Sequence, residues 1–257
     1  MNSIPCAYSV EGSGPALFLV HGIGSRRSTW NELVAGLRDS FTCISYDLRG
    51  HGESPVPVEE FGLDELVDDL EALRQQLDID KIHIAGHSLG GMIGPAYARR
   101  YPKQTISLGL LSTAAGRTMD DSIKVKGVVQ AMREKGVANV LPTLTDRWFS
   151  ESFASQNPEI ISNRLQQVVD TPEWVFLNVF DIYANTEMAA WLNGVKTPAL
   201  VLTGELDGGC NPRLNQFIHS QLENSELVIL DQLKHSILLE ATDRVLPPVR
   251  DFLLRQG

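Results

Sequence analysis

The residue best placed to do chemistry is Ser88, at the centre of Gly86-His87-Ser88-Leu89-Gly90. An apolar, β-type run enters this segment from Ile82, and a helical pattern leaves it at Met92. A serine on so sharp a strand-to-helix turn has a crowded backbone, and glycines two positions to either side relieve the collisions. The hydroxyl then projects from the top of the sheet as a nucleophile. The Leu89 N–H, at a helix N-terminus, is aimed where an attacked carbonyl develops negative charge.

A developing oxyanion calls for a second donor. Residues 16–20 read as a strand that runs into His21-Gly22-Ile23-Gly24, a Gly-rich turn suited to facing the nucleophile. Ile23 N–H is the expected donor, Gly22 is expected beside the substrate, and His21 is expected to brace the loop through hydrogen bonds.

Among six histidines the base must be chosen by position. Where a serine sits on such an elbow, the acid and then the histidine follow it in the chain. That order removes His21, His51 and His83, while His87 is a neighbour of Ser88 on a sharp turn and points elsewhere. His219 falls inside a helical pattern, which leaves His235, in the loop after the strand at 226–230. The acid belongs after a strand between serine and histidine. Gly204-Glu205-Leu206-Asp207-Gly208 follows the strand at 199–203, so Asp207 is expected to orient the imidazole, with Glu205 as the alternative.

These groups need a scaffold. Further apolar runs at 41–46, 81–85 and 105–111 look like parallel strands buried on both faces. Helical spacing appears at 63–77, 92–101, 212–222 and 245–255. Alternation of this kind gives an α/β fold with a mostly parallel sheet between helices. It breaks between 116 and 197, where segments 124–135, 137–148, 158–169 and 174–183 are all helical in pattern. The expected organisation is one core, 1–115 with 198–257, carrying a helical cap at 116–197 over the carboxyl ends of the strands. Cap aromatics Trp148 and Phe149 are expected at the substrate, and Phe153, Trp174, Phe176 and Trp191 either join them or pack the cap down. Arg26 and Arg27 follow the oxyanion loop and are expected on the solvated surface.

Composition excludes several other functions. Hydrophobic residues at 43% and charged residues at 21% suit a packed chain and not a disordered one. A net charge of −10 argues against nucleic acid or an anionic membrane as partner. No apolar run approaches membrane-spanning length, and MNSIPCAYSV lacks the features of a signal peptide, so a cytoplasmic protein is expected. Cys6, Cys43 and Cys210 match no zinc-ligand spacing, and neither metal nor organic cofactor is expected.

Taken in order, HGIG, DLRGHGES, GHSLGGMIG, GELD and KHSILLE resemble the α/β-hydrolase superfamily from end to end. Within it, Gly90 to Gly94, Ser112 to Ala115 and Arg147-Trp148-Phe149 are similar to 3-oxoadipate enol-lactonases. The resemblance implies a serine esterase or lactonase acting on a small molecule, as monomer or homodimer. It also shows departures: residues 180–185 hold no arginine to suit a substrate carboxylate, and Ser236-Ile237 follows the histidine where carbon–carbon-bond hydrolases often carry tryptophan. Such a hydrolase of dienoic ring-cleavage products, a cofactor-free perhydrolase, or a slow-turnover receptor are the other readings of the same motifs.

Overall fold

A computed structural model describes residues 3–256. Met1, Asn2 and Gly257, which the expected core boundaries include, lie outside the described residues.

Seven strands form one sheet: β1 (Tyr8–Glu11), β2 (Ala16–Val20), β3 (Thr42–Tyr46), β4 (Ile82–His87), β5 (Thr105–Leu111), β6 (Ala199–Gly204) and β7 (Ser225–Leu230). The core helices are α1 (Asn31–Leu37), α2 (Leu63–Gln76) and α3 (Gly90–Arg100). Between β5 and β6 come α4 (Met119–Lys135), α5 (Val137–Trp148), α6 (Glu151–Gln156), α7 (Pro158–Asp170) and α8 (Glu173–Asn185). The chain then adds α9 (Pro212–Gln221), α10 (Ile237–Glu240) and α11 (Thr242–Leu254).

The spatial order is β1-β3-β2-β4-β5-β6-β7, parallel throughout except for β1. Alternation along β2 shows how the strands serve two cores. Leu17 and Leu19 point to one face with Leu33, Leu37, Val245 and Phe252, so α1 and α11 cover that side. Ala16, Phe18 and Val20 point to the other, packing with Leu66 and Leu70 of α2, Met92 of α3 and Ile218 of α9. From β2 to β6 both faces are buried, and although only Leu230 is buried in edge strand β7, all six carry apolar runs, which is why they were legible in the sequence.

β1 was not, because it is a short edge strand with half-exposed and exposed residues only. The sequence reading also missed α1 and α6, at seven and six residues too short for a clear helical period. No helix among the described residues is long and apolar enough to cross a membrane.

The chain leaves β2 for β3 on one side and returns as β4 on the other. The strand order therefore reverses at β2 and β4, and a crevice opens beyond their carboxyl ends. The loop from Gly22, the Ser88 turn, the loop holding Asp207 and the loop holding His235 all leave carboxyl ends of strands. The carboxyl edge of the sheet thus gathers Gly22, Ser88, Asp207 and His235.

Phe18 is fully buried at the centre of this scaffold. Replacing it with alanine is expected to reduce unfolding free energy by about 3–5 kcal/mol, read as a lower denaturant midpoint.

Candidate active site

Ser88 has φ +56°, in the left-handed region that non-glycine residues avoid. The turn is held open to it by close backbone approach. A Cβ on Gly86 would lie 2.1 Å from the Gly90 carbonyl oxygen, and one on Gly90 would lie 2.1 Å from that of Val20. Two hydrogen bonds fix the serine backbone: its N–H donates to Leu111 O at 2.9 Å, and its carbonyl accepts from Thr113 Oγ1 at 2.8 Å. The strain therefore persists because β4, α3 and the end of β5 all determine it.

Gly22 lies directly against the serine, since a Cβ there would meet Ser88 Cβ at 3.0 Å. His21 braces this loop as expected: its Nδ1 donates to Gly22 O at 2.7 Å, and Nε2 accepts from Leu48 N–H at 2.9 Å. His51 adds a brace that sequence reasoning missed, accepting from Gly24 N–H through Nε2 at 3.1 Å while its Nδ1 donates to Arg49 O at 3.0 Å. Burial, above all, holds His21 well below its ordinary pKa and brings His51 to about 4. Both stay neutral, as their acceptor role requires.

Asp207 and His235 meet as expected, with Nδ1 to Oδ2 at 2.7 Å. The other carboxylate oxygen accepts from Gly209 and Cys210 N–H at 2.9 and 2.8 Å. Burial alone would raise the Asp207 pKa, but the imidazole and these donors bring it below its usual value. Burial likewise lowers the His235 pKa, and the Asp207 carboxylate more than offsets this, so the net shift is upward. Glu205 is exposed and accepts from Gln232 N–H, a structural role.

His87 does point away from the serine: Nε2 donates to His235 O at 2.9 Å, and the two rings lie 4.9 Å apart. This bond joins the Ser88 turn to the histidine loop. Burial, then the neighbouring His235, brings the His87 pKa down to about 3. Ser88, Asp207 and His235 line one cavity together with Gly22 and Ile23. No hydrogen bond closes between the Ser88 hydroxyl and His235; in unliganded sites such bonds are often long and tighten with substrate.

The helices between β5 and β6 supply the rest of the cavity wall, including Val128, Leu144, Trp148, Phe180 and Tyr183. Trp148, expected at the substrate, lines this cavity. Phe149, expected there too, does not: it is 1% exposed, stacks on Phe153 at 5.7 Å and stays off the cavity wall. Trp148 is the last residue of α5, whereas Phe149 just beyond it is extended, at φ −122° and ψ 148°, so the two side chains leave the chain in different directions. Phe176 is buried against Gly24. Arg26 pairs with Asp170 at 2.7 Å, and Arg27 bonds Asp47 and Glu53, so acids on the protein already occupy both.

Sequence reasoning missed Arg164 altogether. This α7 residue is 8% exposed, lines the cavity and lies 4.6 Å over the Trp148 ring. It donates to Gly24 O at 2.6 Å and Ile23 O at 2.9 Å, and among the described residues no carboxylate pairs with it. Burial lowers its pKa to about 10, which leaves it charged at neutral pH. A signal was present, since Arg164 falls on the stripe of Ile161 and Val168 and so had to turn inward.

The chain matches the family described as alpha/beta hydrolase fold across residues 15–242. It belongs to that family. Over 86% of its length and 82% of the relative's, it is 27% identical to 3-oxoadipate enol-lactonase 2 of Acinetobacter baylyi. The enol-lactonase structure from Burkholderia xenovorans superimposes with a TM-score of 0.91 at 25% identity, covering 98% of both chains. A thermophilic esterase from Thermogutta terrifontis, solved with malate bound, gives 0.87 at 27% identity, covering 98% of this chain and 94% of that one.

If the Asp207 charge raises the His235 pKa, Asp207→Asn must lower it. The His235 ring resonances, followed by NMR across pH, are expected to titrate at a lower midpoint in the variant.

Proposed function

We propose that this α/β-hydrolase cleaves a small carboxylic ester or lactone, one bearing a carboxylate, by acyl transfer through Ser88. The observation that carries the reading is the strained Ser88 elbow opening into the same cavity as the His235–Asp207 pair. Neutral His235 accepts the serine proton as the oxygen attacks the carbonyl, and Asp207 stabilises the imidazolium that results. Ile23 and Leu89 N–H groups hold the oxyanion. The imidazolium returns its proton to the departing alkoxide or enolate. Water, activated by the same imidazole, then releases the acid and restores Ser88.

The carboxylate preference rests on Arg164. A buried guanidinium with no acid partner is costly, and a substrate anion supplies the missing charge. Arg147 lines the same cavity. The names of similar proteins point the same way: one is an enol-lactonase, another a succinate-derivative hydrolase at 23% identity, and the esterase structure holds malate. Trp148 offers a flat apolar wall beside Arg164, and the inserted helices serve as a cap that excludes water.

Two variants test this. Ser88→Ala is expected to lower kcat for an aryl ester by roughly 10⁶-fold while the thermal midpoint holds; an undiminished rate refutes the nucleophile. Arg164→Met is expected to raise KM for a carboxylate-bearing ester about ten-fold more than for a neutral one, as loss of one charge-assisted hydrogen bond implies. Equal changes for both esters would restrict Arg164 to bracing the loop.

A further inference from the structure

The Cys210 thiol has no place in the acyl-transfer scheme, although its backbone N–H supports Asp207, and its sulfur lies beside both members of the Asp207–His235 pair. Its sulfur, an Asp207 carboxylate oxygen and a ring nitrogen of His235 all lie within 4.8 Å of one another. The Tyr183 hydroxyl of α8 contacts the same sulfur at 3.2 Å. All four residues line the cavity, so an incoming ion has a route and room for a water ligand.

Thiolate, imidazole and carboxylate are ligand types that zinc takes, and three protein ligands with an open fourth position is a common zinc arrangement. Tetrahedral coordination at ordinary zinc bond lengths sets ligand atoms about 3.3–3.6 Å apart. The sulfur has to approach by a rotamer adjustment, and the 2.7 Å separation of Nδ1 and Oδ2 has to open by about 0.6 Å. These are side-chain movements and need no change in the sheet. Hard cations such as magnesium prefer all-oxygen sites and gain nothing from the sulfur.

We propose that Asp207, Cys210 and His235 form a binding site for a thiophilic divalent cation such as zinc, and that filling it switches the base off. The thiol proton leaves to solvent as the sulfur–metal bond forms. A neutral imidazole bound to metal through Nδ1 carries its proton on Nε2. The nitrogen left for Ser88 is then a donor and cannot accept the hydroxyl proton, while the Asp207 oxygen is withdrawn from orienting the ring. The ion is an inhibitor here, distinct from any cofactor of the reaction. Sequence spacing concealed the site because its third ligand comes from a different loop.

Only the inhibitory consequence rests on the hydrolytic reading, so binding is measured without substrate. Ser88→Ala protein is titrated with zinc by calorimetry, and with cadmium while the ultraviolet thiolate-to-metal charge-transfer band is recorded. One ion per chain and a cadmium band are expected. Adding Cys210→Ala, or Cys210→Ser where alanine lowers the thermal midpoint, is expected to abolish the band and weaken zinc by more than the ~10-fold that even outer-shell changes bring. Magnesium is expected to give no heat. Zinc bound as tightly without the thiol, or cadmium bound without the band, overturns the proposal. In the wild-type protein zinc is expected to stop aryl-ester hydrolysis until a chelator removes it, whereas zinc binding at the site with hydrolysis undiminished overturns the inhibitory role.

Discussion

Everything at this site depends on one backbone conformation, the positive φ of Ser88. A left-handed serine is unfavourable by itself, and the fold maintains it only by bringing other backbone very close. The carbonyls of Gly90 and Val20 occupy the space where side chains at positions 86 and 90 would stand. Close approach of β4, α3 and the end of β2 is therefore what aims the hydroxyl, and glycine is the residue that permits it. The parallel sheet beneath exists, in functional terms, to make that approach rigid.

The electrostatics are layered on this geometry. Of the histidines near the serine, burial keeps His21, His51 and His87 uncharged, and each is spent on a backbone hydrogen bond. Only His235 faces a carboxylate and is shifted the other way. Four imidazoles in one neighbourhood thus take up different tasks because one of them meets Asp207. Arg164 is the counterpoint, a cation satisfied by carbonyl oxygens and an indole face but not by an opposite charge.

How far the site was legible in the sequence follows from how local each determinant is. Ser88, Gly86 and Gly90 are encoded within five residues; chain order narrows the base to His219 and His235 and helical spacing removes His219, but only the structure shows that Asp207, and not Glu205, bonds His235. The buried strands announced themselves because both faces demand apolar residues. Aromatic character does not reveal that α5 stops at Trp148, or that Phe149, extended just past it, turns its ring off the cavity wall and onto Phe153. Arg164, Tyr183 and Cys210 converge from α7, α8 and the loop after β6, and no spacing along the chain expresses that convergence. His51 precedes the serine in the chain, which excludes it as the base but says nothing of its hydrogen bond to the Gly24 N–H of the loop after β2.

The loop after β2 is gripped from two sides. From below, the His51 ring receives the Gly24 N–H; from above, Phe176 of α8 packs on Gly24, and the Arg164 guanidinium of α7 holds the carbonyls of residues 23 and 24. The helical insert is thereby bolted to the part of the core that would stabilise charge in the reaction. It is not an interchangeable cover whose replacement changes selectivity alone. Exchanging it for the insert of another member would remove the Arg164 and Phe176 contacts and leave the His51 ring to hold Gly24 from one side only.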